Sequence, residues 1–209
     1  MQSENPVAQT GNLSLCLDLA NTVDWRGGAR RKDGLKTFRD LLEWSLKNGL
    51  IDREESRRLA ARARSEAGLE TRTMRDMDEF REATYRVFSA VAHGSKLDAN
   101  DLEILNQYLA RSLARSKIEP SGATFRWAWT HEDRAADAML WPIARSVADL
   151  LTSEELRRVK ECANEEEGCG FLFVDQTKNQ KKRWCRMDSC GNRAKFRRYY
   201  EKHNRPKKE

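Results

Sequence analysis

The chain has 209 residues, 34% of them charged and 39% hydrophobic, with a formal net charge of +6. That length allows a buried core in one or two domains, and the apolar fraction is too high for a disordered chain. No stretch approaches the 18 apolar residues of a membrane-spanning helix, and the start lacks the basic and apolar regions of a secretory signal. The expected setting is a reducing cytoplasm, where clustered cysteines bind metal more often than they form disulfides.

From the N-terminus, the first distinctive run is LCLDLANTVDWRGG (15–28). If residues 15–22 are helical, Asp18, Asn21 and Thr22 share a face. With Arg26, these polar groups either line a pocket for a small-molecule or protein effector or tie down the Gly27-Gly28 loop. Cys16 reads as a small buried side chain. The following GGARRKDG (27–34) lacks the spacing of a phosphate-binding loop.

A helix is expected over 35–48, stopped by Gly49. Asp52 and Glu55 form a capping-box pattern for a second helix over 53–67, ending near Gly68. A third covers 71–93, with Met74, Met77, Phe80, Ala83, Val87 and Val91 on one face. Asp98 or Asn100 starts a fourth, striped by Leu102, Leu105, Leu109 and Leu113. Residues 116–129 carry a Pro-Ser-Gly turn between short runs containing Ile118, Phe125, Trp127 and Trp129, the pattern of a β-hairpin. Helix returns over 131–151, with Met139, Ile143, Val147 and Leu150 buried and Pro142 as a potential kink. Thr152 and Glu155 then suggest a capped helix carrying Leu156, Val159 and Cys162.

Four cysteines fall close together as Cys162-x6-Cys169-x15-Cys185-x4-Cys190. Two such pairs suit a tetrahedral Zn2+ site, each pair supplying one edge. Between them, FLFVD (171–175) alternates like a strand, QTKNQKK (176–182) can turn, and RWC (183–185) can return as its partner. Ser189 is placed to cap the helix that follows. Ligands at a helix end, a hairpin and a second helix start give a treble-clef-like order. So small a segment would owe much of its stability to the metal, worth about 10–16 kcal/mol in zinc peptides. Two disulfides would suit a secreted chain instead. A catalytic cysteine would want an activated base, and His93, His131 and His203 form no recognisable pairing with one. No nucleophile–base–oxyanion set emerges anywhere, so the chain is not expected to be an enzyme.

The charge is unevenly distributed. Residues 175–209 carry 13 Lys and Arg against 4 Asp and Glu, a balance of +9, which leaves −3 for residues 1–174. On a helix beginning at Asn192, Arg193, Arg197 and Tyr200 lie along one side, and Phe196, Tyr199 and His203 along another. The aromatic stripe is expected to pack on the hairpin around Trp184 and leave the cations outward. Lys181, Lys182, Arg183, Lys195, Arg197 and Arg198 would then contact phosphates, with Asn192 and Arg193 placed to read base edges. An acidic partner protein, or plain solvation of a charged face, remains the alternative.

WCRMDSCGNRAKFRRYY is similar to the signature of the CGNR zinc-finger family, named for the tetrapeptide Cys190-Gly191-Asn192-Arg193. The upstream ECANEEEGCGFLFVDQTKNQKKRW resembles the same family, with Cys162 and Cys169 at its first ligand pair. An extra acidic residue in NEEEGC lengthens that loop. LCLDLANTVDWR resembles the start of the ABATE domain that precedes the finger in this family. The resemblance implies one structural Zn2+ and a bacterial transcription regulator, some members being linked to stress responses.

The expectation is thus a mainly α, α+β protein. A helical domain with a small β-hairpin spans 1–150, and a treble-clef-like zinc finger with a basic C-terminal helix spans 151–209. The function expected is DNA binding through the finger. A zinc-stabilised protein-interaction module is the rival reading.

Overall fold

The structure is a computed structural model that describes residues 13–129 and 136–203. Its core is organised by a helix too short to stand alone. Helix α1 (Leu15–Ala20) has Leu15, Cys16, Leu17, Leu19 and Ala20 buried, while Asp18 is exposed. A six-residue helix is marginal by itself, so its form is fixed by burial against α4 (Leu69–His93) and α6 (Trp141–Leu151). The Cys16 N–H donates to Ser146 Oγ at 3.1 Å. Burial pushes the Cys16 thiol up to about 12, which makes it inert.

Two very short strands, β1 (Val23–Asp24) and β2 (Lys32–Asp33), pair antiparallel and close a loop that projects from the end of α1. Helix α2 (Phe38–Lys47) begins with a reciprocal capping box between Thr37 and Asp40. The Asp52 side chain accepts from the Glu55 N–H to start α3 (Arg53–Ser65). The Glu55 carboxylate pairs with Arg58 at 3.0 Å.

Helix α4 is the spine of the molecule, 25 residues or about 37 Å long. It packs against α1, α2, α5 (Ala99–Ala114) and two strands near the C-terminal end of the chain. Met77, Phe80, Ala83 and Val87 are buried as the periodicity predicts, whereas Met74 and Val91 are only half-buried.

Helix α5 is rotated from the expected leucine stripe. Its buried residues are Asp101, Leu105, Tyr108 and Ser112, and Leu113 is exposed. Polar residues take those places because each has an internal partner. Asp101 receives Arg86, the Tyr108 hydroxyl donates to the Asp76 carbonyl at 2.8 Å, and the Ser112 hydroxyl donates to the Trp141 carbonyl at 2.9 Å. Apolar spacing alone cannot anticipate such satisfied polar contacts.

The expected hairpin forms from β3 (Ser116–Ser121) and β4 (Thr124–Trp129), in register from Ser116↔Trp129 to Ser121↔Thr124. Gly122 has φ +60° at the first of the two loop positions, as a type II′ turn needs. Trp129 anchors the hairpin by donating its indole N–H to Ser112 Oγ at 3.2 Å.

Residues 131–135, where helix was expected, lie outside the described residues. Pro142 does not kink α6. It sits in the first turn, where proline has no N–H bond to lose. The expected helix after Thr152 is replaced by a short 3-10 turn, Glu154–Arg158, leading into strand β5 (Val159–Glu161). Pairing with β6 (Leu172–Val174) and burial of Val159 and Leu172 in the main core favour the extended form there.

Ser112 joins α5, α6 and the hairpin through its single hydroxyl. Ser112→Ala leaves a buried indole N–H without its acceptor and removes a hydrogen bond to the Trp141 carbonyl. It should cost about 1–3 kcal/mol, read as a lower urea midpoint at unchanged slope.

Candidate metal centre

Strands β5 and β6 are the two legs of a small hairpin, with Lys160↔Phe173 at its middle. The Cys162 N–H donates to the Phe171 carbonyl at 2.9 Å and extends the ladder by one rung. The segment from Cys162 to Phe171 is therefore a knuckle, and it presents Cys162 and Cys169. Neither cysteine lies on a helix, contrary to the expectation for Cys162. The predicted strand partner of 171–175 is also different, since β6 pairs with β5 and residues 183–185 stay outside any sheet. They still run beside the knuckle, as the Ala163 N–H donates to the Arg183 carbonyl at 2.8 Å.

Asp175 shapes the loop between the two cysteine pairs. It is fully buried and accepts from Lys160 Nζ at 2.7 Å, Thr177 Oγ1 at 2.6 Å and the main-chain N–H groups of Thr177 and Lys182. Burial alone would raise its pKa, but the Lys160 and Thr177 contacts prevail and hold the carboxyl well below the usual range.

Cys190 lies in a single π-helical turn, Met187–Gly191, closed by the Gly191 N–H on the Arg186 carbonyl at 3.0 Å. This turn runs straight into α7 (Asn192–His203). Ser189 does not cap α7. Its hydroxyl lies 4.0 Å from Cys190 Sγ, and the π turn takes the place of a cap.

The four sulfur atoms lie within 4.8 Å of one another. The separations Cys169–Cys185, Cys185–Cys190 and Cys190–Cys169 are 3.8, 3.7 and 3.6 Å. A regular tetrahedron with zinc–sulfur bonds of about 2.3 Å has edges of about 3.8 Å, so the thiols already have the spacing the ion demands. These separations are far from a disulfide bond, and all four are free cysteines.

The main chain prepares the same state. The Cys185 N–H approaches Cys162 Sγ at 3.4 Å. The N–H groups of Asn164 and Phe171, each two residues past a cysteine, point at Cys162 and Cys169. Hydrogen bonds from the Cys169 and Cys185 thiols draw Cys162 far below the ordinary thiol range. The same contacts push Cys169 and Cys185 up. Thiols packed this closely cannot all ionise without a cation among them, and a divalent ion stabilises all four as thiolates.

The finger is stitched to the helical body. The Asn21 side chain donates to the Leu172 carbonyl at 2.8 Å and accepts from the Leu172 N–H at 2.9 Å, pairing with the free edge of β6 as a strand would. Glu161, next to Cys162, accepts from the Tyr85 and Ser89 hydroxyls of α4. The Gly27 N–H donates to the Gly168 carbonyl at 3.1 Å. Trp25 adopts φ +53°, a conformation costly for an aromatic residue, and packs with the cysteine cluster. Arg30 and Arg193 cover its ring at 4.4 and 4.9 Å.

The residues singled out near the N-terminus fall into this seam or beside it. Thr22 donates to the Leu19 carbonyl and accepts from Arg81. Arg26 binds the Glu82 carboxylate and the Ala20 carbonyl and covers the Tyr85 ring at 3.9 Å. Asp18 is exposed and joins none of these contacts.

The cations divide into two groups. Arg193 pairs with Glu167 at 3.1 Å, and Arg197 with Glu166 at 2.5 Å, while Arg30 also reaches Glu167. Burial works the other way, yet Arg193 and Arg30 keep the Glu167 carboxyl below its usual range. Lys182 Nζ lies 4.7 Å from the Phe173 ring centre, and the Arg183 guanidinium 5.0 Å from that of Trp184. Lys181, Lys195, Arg198 and Asn192 are exposed. By its length alone NEEEGC is only a longer loop. Three consecutive glutamates ahead of a basic helix are the signal in the sequence that points to these pairs.

Aromatic packing on α7 is the reverse of the expected one. Phe196 and Tyr199 are 65% and 61% exposed, and the helix buries Ala194 instead. The acidic knuckle holds the arginine side inward and turns the aromatic side out.

Against models of known families, residues 13–154 match the one described as "Putative stress-induced transcription regulator" (ABATE), and residues 158–203 match the CGNR zinc finger. A search for similar characterised proteins finds no match. With the sulfur geometry, the finger match makes the group one structural zinc held by Cys162, Cys169, Cys185 and Cys190.

The seam has no room for a side chain at its tightest point. A Cβ at Gly168 would lie 2.3 Å from both Gly27 C and Gly28 N, on a backbone with φ +69°. Gly168→Ala should therefore destabilise the protein by well over about 1 kcal/mol, read as a lowered melting temperature of the zinc-loaded chain.

Proposed function

Because the chain belongs to the ABATE family and ends in a CGNR zinc finger, we propose that it is a transcription regulator of the bacterial cytoplasm that contacts DNA through that finger. The observation that carries this reading is the concentration of charge. A balance of +9 sits on residues 175–209 of a chain whose remainder is −3, and among the described residues of that segment Lys181, Arg183, Lys195, Arg198 and Lys202 are exposed on the loop and helix that flank the cysteine cluster. A polyanion gains by neutralising such a surface and releasing its counterions.

Held by Cys162, Cys169, Cys185 and Cys190, zinc would cross-link four points of the chain and fix where α7 begins. Arg193 and Arg197 orient α7 by gripping Glu167 and Glu166. Among the described residues, Lys195, Arg198 and Lys202 form no ion pair. They are the natural phosphate contacts, together with Lys181 and Arg183 on the neighbouring loop. We assign the base-edge role expected of Arg193 to the seam instead, because its guanidinium is engaged by Glu167 and Trp25.

Asn21 joins the body to the finger directly, while Thr22 and Arg26 fix the stretch of the body beside it. An effector acting on the body would reach the finger through them and through Glu161. No membrane partner is proposed, and no described helix is long and apolar enough to cross a bilayer.

The test is a salt series on the full-length zinc protein with labelled DNA. The logarithm of affinity should fall linearly with the logarithm of salt. Changing Lys195, Arg198 and Lys202 together to alanine should flatten that slope by up to about 1 for each phosphate no longer neutralised, at unchanged zinc content. Affinity indifferent to salt would remove the phosphate-contact reading.

A further inference from the structure

Helix α7 offers more than charge. Side chains advance about 100° per residue around an α-helix, so Asn192, Lys195, Phe196, Tyr199, Lys202 and His203 lie on one side. That side is opposite Ala194 and Arg197, which face the protein. All six are exposed, and Phe196, Tyr199 and the flanking Tyr200 are 65%, 61% and 52% exposed. The rings are ordered along the helix. Phe196 and Tyr200 have centroids 5.1 Å apart, and Tyr199 stacks on His203 at 4.1 Å. Large aromatic side chains normally bury their area. Here the ion pairs of Arg193 and Arg197 with the acidic knuckle keep them turned to solvent.

We propose that this face of α7 is a stacking platform for unpaired nucleobases, so that the finger takes single-stranded nucleic acid in preference to duplex. The proposal rests on the nucleic-acid reading above and specifies its ligand. Three features of the helix support it. Its aromatics alternate with cations that have no partner among the described residues, which suits a strand offering bases and phosphates in alternation. A duplex hides the faces of its bases inside the stack and presents only edges and phosphates, leaving exposed rings without a matching surface. Moreover, the arginine nearest the helix start, the position from which a recognition helix reads base edges, is engaged by Glu167 and Trp25. The ribose and deoxyribose forms share this chemistry, and a stacking platform alone accepts either.

The experiment uses the full-length zinc-loaded protein and fluorescence anisotropy. The probes are a labelled DNA strand of mixed sequence, about 20 nucleotides long and so longer than the site of one stacking module, the same strand annealed to its complement, and the RNA strand of that sequence. The single strands should bind at least about tenfold more tightly than the duplex. Phe196→Ala and Tyr199→Ala should each weaken single-strand binding about tenfold, with duplex affinity, zinc content and salt slope unchanged. Tyr199→Phe should retain the tight binding, since the ring face and not the hydroxyl makes the contact. An RNA strand binding more tightly than the DNA strand, with the same loss on Tyr199→Ala, supports the platform and identifies RNA as the preferred source. Equal or tighter duplex binding, untouched by the aromatic substitutions, would overturn the stacking platform and leave the nucleic-acid reading intact. Failure of every probe to bind at low salt would overturn both. A dimer in sedimentation that Tyr199→Ala converts to monomer, with single-strand affinity unchanged, would show the face to be a contact between copies and overturn the proposal.

Discussion

Four sulfur atoms meeting at one point determine the shape of the C-terminal third of this protein. Cys162 comes from the end of a strand, Cys169 from a knuckle, Cys185 from an irregular segment and Cys190 from a π turn. None of these pieces could hold its place alone. The apolar cluster around them is small and includes Trp25, borrowed from the N-terminal body. A segment with so little burial lacks the hydrophobic surplus that stabilises larger domains, and metal ligation substitutes for it. The near-tetrahedral spacing of the thiols and the main-chain N–H groups aimed at them are the local expression of that dependence.

The centre also reaches into the body. Glu161 and Cys162 are neighbours, yet one binds α4 and the other binds the metal. Val159 and Leu172, on the two strands that carry the knuckle, belong to the main hydrophobic core. A chain of contacts continues from Glu161 through Tyr85 and Arg26 to Glu82. Nearby, Arg81 is buried between Asp33 and Asp78. Body and finger share backbone contacts at Gly27 and Gly168, side-chain contacts at Asn21, and a common core. The finger is therefore a fixed extension of the helical body and not a tethered tail.

The sequence made the helices and the cysteines legible, and it misled where tertiary contacts overrode local pattern. The run from Met77 to Val87 showed its face because a long helix repeats its apolar signal. The grouping of the four cysteines announced a metal site because few other arrangements require it. Leu113 and Tyr108 exchanged expected places because buried polar groups with internal partners leave no periodic trace. Val159 became a strand residue because its pairing partner lies across the whole knuckle, beyond the reach of a capping pattern at Thr152. The aromatic and basic faces of α7 were interchanged for a similar reason. Their orientation is set by Glu166 and Glu167, whose proximity exists only once the knuckle is folded. Asn21 stood out correctly as an unusual polar group, but its partner, the Leu172 backbone, has no side-chain signature at all.

Because the finger and its seam depend on the metal, metal content and its removal are the most direct test. Elemental analysis of the reduced, purified full-length chain should give one zinc per molecule. Stripping it with a chelator under reducing conditions should lower the melting temperature and release α7 and the knuckle to rapid amide exchange, while the core of α4 stays protected. A chain that carries no stoichiometric zinc, or one whose exchange pattern around Cys162–Gly191 is unaffected by chelation, would contradict a metal-built finger.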